Sequence, residues 1–207
     1  MQKSVEPSVK GSLMVGGVVA MRRHLKQGRM SAPQLAVRLS PPALELLEQK
    51  IDLGRWYPVK IFCEILELEW EVGGHRDPDY MRRQGEQAAD HLFETGIYQQ
   101  LQYAERSDRV RSREQMLLQA KLISTITGTL YNFLQFEVRI SPEDPDLLEI
   151  LYGNAALFSE GLRLSTEGFM NQINKRQGST RRWTSVRVRP DLLAFRLSLP
   201  ERLSENP

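Results

Sequence analysis

Residues that build cross-links and metal sites are scarce in this sequence. Its 207 residues include one cysteine, Cys63, and three histidines, His24, His75 and His91. A single thiol excludes an intrachain disulfide framework and fits a reducing compartment. The histidines stand apart, and no His-x-x-x-His, Glu-x-x-His or Cys-x-x-Cys pair occurs, so the ligand spacing of a metal site is missing. Long apolar runs are missing as well. Leu13 to Met21, nine residues, is the longest uncharged run near the start, too short to span a bilayer. Arg22-Arg23-His24 follows it where a signal peptide needs small residues, so a cytoplasmic location is expected. A net charge of +2 is far from the basicity of a protein that coats nucleic acid, although it leaves room for a local patch. No phosphate loop, nucleophile elbow or convergent carboxylate pair is legible. The chain is therefore not expected to be an enzyme or to carry a cofactor.

What the sequence does contain is periodicity. Hydrophobic content of 41% beside 26% charged residues is ordinary for a globular chain long enough to bury one good core. The spacing predicts loose termini at 1–9 and 201–207 around a single α+β domain at 10–200. That domain divides into a helical lobe (10–131) and a ββαββ module (132–200). Lys10 to Val15 reads as a short strand or as the lead into a helix over 17–25. Ser31-Ala32-Pro33 and Ser40-Pro41-Pro42 each carry the serine cap and first-turn proline of a helix start. Trp56-Tyr57-Pro58 opens the most apolar helix, Val59 to Val72, on which Lys60, Glu64, Glu67 and Glu71 form one polar stripe. Gly73-Gly74 ends it. Asp77-Pro78 starts the next, carrying Met81, Ala88, Ala89, Leu92 and Phe93. Helix is also predicted for Ile97–Tyr103, after Gly96, and for about Asp108 to Tyr131.

The last third has the cleanest pattern. Residues 134–140 alternate apolar and polar, a proline- and acid-rich turn follows, and Leu148, Ile150 and Tyr152 resume the alternation, as in an antiparallel hairpin. Phe158, Leu162, Phe169 and Ile173 then recur at helical spacing. Gly161 and Gly168, seven apart, each cost a helix roughly 1 kcal/mol against alanine. They predict a close approach of that helix to the sheet. Val186 and Val188, then Leu193, Phe195, Leu197 and Leu199, alternate again across a turn at Pro190-Asp191. Two hairpins flanking one helix define an antiparallel four-stranded sheet layered on helices.

Two groups of residues are candidates for a site. Trp56, Tyr57, Ile61, Phe62, Cys63 and Leu66 on the apolar helix are candidates to line a ligand cavity. Cys63 has two readings, a small buried hydrophobe or a thiol in a cavity wall whose pKa Glu64 and Glu67 would raise. Six arginines fall within the 21 residues from Arg176 to Arg196. Alternation places Arg187 and Arg189 away from Val186 and Val188, where they are either cross-strand partners of Glu137 and Glu149 or, with Arg181, Arg182 and the aromatic Trp183, an anion or partner-binding patch.

Several motifs carry a resemblance. Val9-Lys10-Gly11-Ser12, Trp56-Tyr57-Pro58, Gly85-Glu86-Gln87-Ala88, Gly96-Ile97-Tyr98 and the helix-ββαββ order resemble a family of uncharacterised proteins expanded in myxobacteria. That family is distantly similar to the haem–NO-binding and TRAPP-like ligand-binding fold, and the resemblance spans about residues 9 to 199. It implies a non-enzymatic domain with a helical lobe packed on a four-stranded antiparallel sheet. Such a domain binds a small apolar ligand or lipid between helices and sheet, or a protein partner, or it dimerises as an adaptor. Haem-binding relatives carry an axial histidine and a Tyr-x-Ser-x-Arg motif. Tyr103-Ala104-Glu105-Arg106 lacks the serine and the spacing, so haem is not implied here. Relatives resembling vinyl reductases carry C-terminal cysteines, absent from this chain. TRAPP-like relatives hold an acyl chain on a cysteine, and Cys63 likewise lies in an apolar helix. Nucleic-acid binding through the C-terminal arginines is the weaker alternative, since aromatics are only 8% and charge is nearly balanced.

Overall fold

The computed structural model describes residues 6–94 and 112–199. In chain order the elements are β1 (Ser8–Lys10), α1 (Gly11–Lys26), α2 (Ala32–Arg38), α3 (Pro41–Glu48), β2 (Trp56–Pro58), α4 (Val59–Gly74) and α5 (Pro78–Glu94). After 95–111 come α6 (Arg113–Leu130), β3 (Gln135–Ile140), β4 (Leu147–Gly153), a single 3-10 turn at Ala155–Leu157, α7 (Glu160–Arg176), β5 (Thr184–Arg189) and β6 (Leu192–Ser198). This is the α+β architecture predicted from the alternation, with helices against one four-stranded antiparallel sheet of order β3-β4-β6-β5. The helix expected at Ile97–Tyr103 and the first turns of the one expected from Asp108 lie outside the described residues.

Local chemistry explains the boundaries. Ser31 and Ser112 each accept a bond from the backbone three residues on, while Gln34 and Gln115 reach back, closing two capping boxes. Ser159 caps α7 by accepting from Leu162 N. Arg22 holds the end of α3 by donating Nε–H to the Leu47 carbonyl at 2.6 Å, a cation on orphaned helix carbonyls. Two boundaries differ from expectation. Trp56-Tyr57-Pro58 is a strand rather than a helix start: it pairs with Ser8–Lys10, Val9 opposite Tyr57, and the helix begins at Val59. The same pairing orders Ser8 and Val9 and starts α1 six residues earlier than expected, at Gly11.

Phe136, Val138 and Ile140 on β3 share a face with Tyr152, Ile150 and Leu148 on β4 and with Leu193, Phe195 and Leu197 on β6. Helix α6 packs on β3 and β4, and α7 on β5. The aromatics of this face fill it: Tyr152 lies 4.7 Å from both Phe136 and Phe195 between ring centres, and 5.9 Å from Phe158. On β5 the expected face is inverted. Ser185 and Arg187 lie opposite Phe195 and Leu193, hence on the inner face, while Val186 and Val188 point outward, 40% and 48% exposed. Arg187 can turn inward because backbone carbonyls of Ala155 and Phe158 receive its guanidinium.

The close approach announced by the α7 glycines is made to a helix, not to the sheet. A Cβ on Gly168 would lie 1.9 Å from the Arg82 carbonyl oxygen of α5, and one on Gly85 would lie 1.8 Å from the Ser165 carbonyl oxygen of α7. The two glycines thus interlock α5 and α7 backbone to backbone. Gly161 faces Glu67 of α4 and donates its N–H to Oε1 at 2.7 Å.

Gly85→Ala or Gly168→Ala is expected to destabilise the fold by about 1–3 kcal/mol, because a backbone carbonyl cannot rotate out of the way as a side chain can. At Gly16, where an added Cβ meets nothing within 4 Å, alanine is expected to stabilise by about 0.5–1 kcal/mol. Urea denaturation of the three variants checks this; equal effects at all three positions would refute the interlock.

Candidate functional site

Two tight helix pairs leave a cleft where they meet. Helix α1 packs on α4, where a Cβ added to Gly17 would stand at ordinary contact distance from Phe62 and Leu66, and the glycine interlock joins α5 to α7. The cleft between the pairs has a volume of about 460 Å³. Its walls follow helical periodicity. Helix α4 gives Phe62, Leu66 and Glu69, α5 gives Gln84, Gln87, Ala88, His91 and Leu92, α7 gives Leu162 and Ser165, and the small residues Gly16, Gly17 and Ala20 of α1 leave the room. A void of about 30 Å³ sharing Leu13, Ala88, Leu162 and Ser165 adjoins it and is lined further in by Thr127, Tyr131 and Thr166.

The cleft wall contains one buried acid. Glu69 is fully buried and accepts a short hydrogen bond from the Tyr80 hydroxyl on Oε1, while its Oε2 has no partner. His24 of α1 stands beside them, its Nε2 3.8 Å from Glu69 Oε1 and 3.5 Å from the Tyr80 oxygen. Gly73 and Gly74 make the space, since a Cβ at either would strike His24 or Tyr80. Burial pushes the Glu69 carboxyl above its ordinary pKa, against the opposing pull of the Tyr80 bond. Burial also lowers the His24 pKa, helped by Arg29 and Arg23. Both groups are thus biased toward their neutral forms. Glu69 was missed by the sequence reading; it lies off the Lys60-Glu64-Glu67-Glu71 stripe, but only its burial in the fold singles it out.

The residues proposed for a cavity divide. Phe62 and Leu66 line the cleft. Cys63 faces instead a second hollow, walled by Arg38, Lys60, Glu64, Glu67 and Arg76. Its thiol donates to the Leu157 carbonyl at 3.4 Å, and burial, with smaller contributions from Glu67 and Glu64, raises its pKa away from thiolate reactivity. Trp56, Tyr57 and Ile61 line neither hollow. Trp56 lies under the Lys10 ammonium at 4.3 Å, and the Tyr57 hydroxyl accepts from Asp52 N at 3.0 Å. The polar stripe on α4 makes interhelical contacts: Glu64 accepts from Ser40 N, and Glu71 from Arg38.

The C-terminal arginines do not gather into one patch. Arg181 donates to the carbonyls of Ser198 and Leu199, Arg187 to three carbonyls that include Pro190, and Arg189 lies 3.6 Å from Asp191. Trp183, read as an aromatic anchor of that patch, is 1% exposed. The expected pairing of Arg187 and Arg189 with Glu137 and Glu149 is also corrected. Strand β5 adjoins β6, and the buried Glu149 is instead bound by Arg139 and Arg196, each at 3.0 Å. Arg182 is exposed. Among the described residues no group of three or more His, Cys, Asp or Glu could hold a metal ion, and no helix is long and apolar enough to cross a membrane.

No family model and no curated protein matches the chain. Solved structures do. A point mutant of the H-NOX protein from K. algicida, in the Fe(II) unliganded state, is 13% identical with a TM-score of 0.61, over 94% of this chain and 98% of that one. The unmutated K. algicida protein is 12% identical with a TM-score of 0.60 over the same shares. The oxygen complex of an H-NOX domain related to soluble guanylate cyclases is 12% identical with a TM-score of 0.52, over 96% and 98%. These likenesses define the class of fold, haem–NO-binding-like.

The histidines of this chain do not fit haem. A histidine axial ligand, the kind the haem-binding relatives carry, would have to be one of three. His24 is wedged beneath Gly73 and Tyr80, His75 sits in a left-handed turn at the end of α4, and His91 is solvent-exposed at the margin of the cleft. The inner sheet face is occupied by its own aromatics.

Glu69 sets a pH signature. Its folded pKa lies above the unfolded value of 4.5, so its stabilising contribution is full below that pH and is lost as pH rises through the folded pKa. His24 has the opposite sign, contributing above 6.5 and losing its contribution as pH falls through its lowered folded value. Glu69→Gln is therefore expected to gain stability relative to the native chain progressively as pH rises above 4.5. Urea midpoints of both proteins from about pH 4 to about pH 8 test this; parallel profiles would show that Glu69 is not held neutral.

Proposed function

We propose that this chain is a non-enzymatic regulatory domain that binds a small apolar ligand in the cleft between the α1–α4 and α5–α7 helix pairs and relays occupancy to a protein partner. One observation carries the reading: a cleft of about 460 Å³, walled mainly by apolar and small side chains with a few polar groups, the usual make-up of a ligand site. The fold likeness to domains described as haem–NO-binding and oxygen-binding supports it as an analogy of architecture only. The non-enzymatic part draws on the cleft's chemistry. Its serines, Ser12 and Ser165, have no hydrogen-bonded base, and its one buried acid is committed to Tyr80. A reducing, cytoplasmic setting agrees with a free, buried Cys63.

A homodimeric adaptor without a ligand is the second reading. It draws on Val186 and Val188 of the edge strand β5, exposed on the outer sheet face. Nucleic-acid binding loses its support, because Arg181, Arg187, Arg189 and Arg196 are engaged within the chain.

Native mass spectrometry with a visible absorption spectrum separates these readings. A bound non-protein mass without a haem chromophore is expected, and Ala88→Phe, which adds bulk to the cleft wall, is expected to abolish it while leaving the helical circular dichroism intact. A bare species at twice the monomer mass supports the adaptor instead.

A further inference from the structure

Strand β3 ends the sheet on one side. Among the described residues no hydrogen bond reaches the backbone of 135–140 except those of the β4 ladder, and β1 meets the chain only at Tyr131 and Asn132, ahead of the strand. The strand pairs with β4 over six residues without a register shift and contains no proline. Its open backbone groups are therefore a straight template for one more strand. The inner face is short of cover at the same place. Phe136, Val138 and Ile140 are half-buried, whereas Tyr152, Ile150 and Leu148 opposite them on β4 have no exposed surface. Above Phe136, α6 presents Gly128, where an added Cβ would stand 3.7 Å from the ring. On the outer face Arg139 spends Nε and Nη2 on Glu149 and leaves Nη1, 3.8 Å from Glu137 Oε1. Among the described residues the Glu137 carboxylate has no closer cation, and it is 62% exposed.

We propose that β3 is a self-association edge: a second copy of this chain adds antiparallel about a two-fold axis through Val138, joining two four-stranded sheets into one continuous sheet. The order of residues around Val138 carries the assignment. Antiparallel pairing about it sets Glu137 of each copy opposite Arg139 of the other, and Phe136 of each opposite Ile140 of the other. Opposite charges thus meet twice on the outer face, and the apolar row runs on unbroken along the inner face. Arg139 can serve both carboxylates, because a guanidinium has five N–H donors and Glu149 takes only part of them. A two-fold axis at Glu137 or at Arg139 would set like charges opposite, and one between residues would join inner face to outer. The match is to the strand's own sequence, which is why the occupant is a second copy rather than an unlike peptide. The interface lies outside the cleft, to which β3 contributes no wall, and at the other edge of the sheet from Val186 and Val188, so it is independent of both readings above. Six residues a side make a small contact, and the dimer is accordingly of the weak, concentration-dependent kind.

Sedimentation velocity of the full chain from about 5 μM to about 500 μM tests the assignment. A monomer–dimer equilibrium is expected within that range, and a monomer throughout would overturn the proposal. Glu137→Lys, at an exposed position, sets like charges opposite twice and is expected to weaken the dimer about tenfold, while Val186→Asp leaves it unchanged. Association indifferent to Glu137→Lys would overturn the β3 assignment; if Val186→Asp abolished it instead, the contact lies on β5. Val138→Cys reads the register. Directly opposite Cβ atoms lie about 4.5–5.5 Å apart, close to the span of a disulfide, so oxidation is expected to join two copies through that residue. The native thiol, Cys63, is buried and does not compete. Gln135→Cys, which the same axis places opposite Ser141 of the other copy, is expected to stay uncrosslinked, and equal cross-linking at both positions would refute the two-fold axis at Val138.

Discussion

The contact on which the architecture depends is the backbone interlock of α5 and α7. Interiors are close-packed, and helices usually meet through side chains that hold their axes 8–10 Å apart. Here Gly85 and Gly168 remove that layer reciprocally, each receiving the other helix's carbonyl group. Ion pairs extend the seam at both ends, Arg82 with Glu167 at 2.6 Å and Arg176 with Asp90 at 2.7 Å. Helix α7 thereby joins two bodies of structure: it packs on the sheet through β5 and carries α5 on its other side.

The cleft is the geometric remainder of that arrangement. Helices α1 and α4 form a second close pair, and where two such pairs meet, the small residues Gly16, Gly17 and Ala20 do not fill the space between them. A buried acid then stands in a wall that is otherwise largely apolar. Water would ordinarily solvate a carboxylate, and its exclusion is what biases Glu69 toward the neutral acid. Neutral His24 beside it fits the same logic, since the pair avoids placing separated charges in a low-dielectric interior.

Much of the fold was legible in the sequence because local rules acted alone. The alternation at 134–140 and the change to helical spacing after Phe158 gave the ββαββ order, and Ser31 and Ser40 marked the starts of α2 and α3. The errors share one cause, partners remote in sequence. Trp56-Tyr57-Pro58 has the composition of a helix entrance and becomes a strand only because Val9 pairs with Tyr57. Val186 and Val188 break the rule that apolar residues face inward, because carbonyls of Ala155 and Phe158 draw Arg187 to that side instead. Gly168 announced a close approach, but no local pattern says whether a sheet or a helix will make it. Among the candidate residues Phe62 and Leu66 were legible from the apolar helix. Glu69 was not, because a buried acid is recognised by its surroundings rather than by its spacing.

Strand β5 is an edge of the sheet and turns two valines outward. A flat edge of that kind would template the addition of further chains. Between Arg187 and Arg189 the register against β6 shifts, a bulge that twists the edge, and Pro190 follows at once. The arginines first read as a surface for binding something therefore have a different consequence. They stand where a strand added to this edge would have to lie, so an incoming chain meets a bulged, charged and proline-ended edge rather than a flat one.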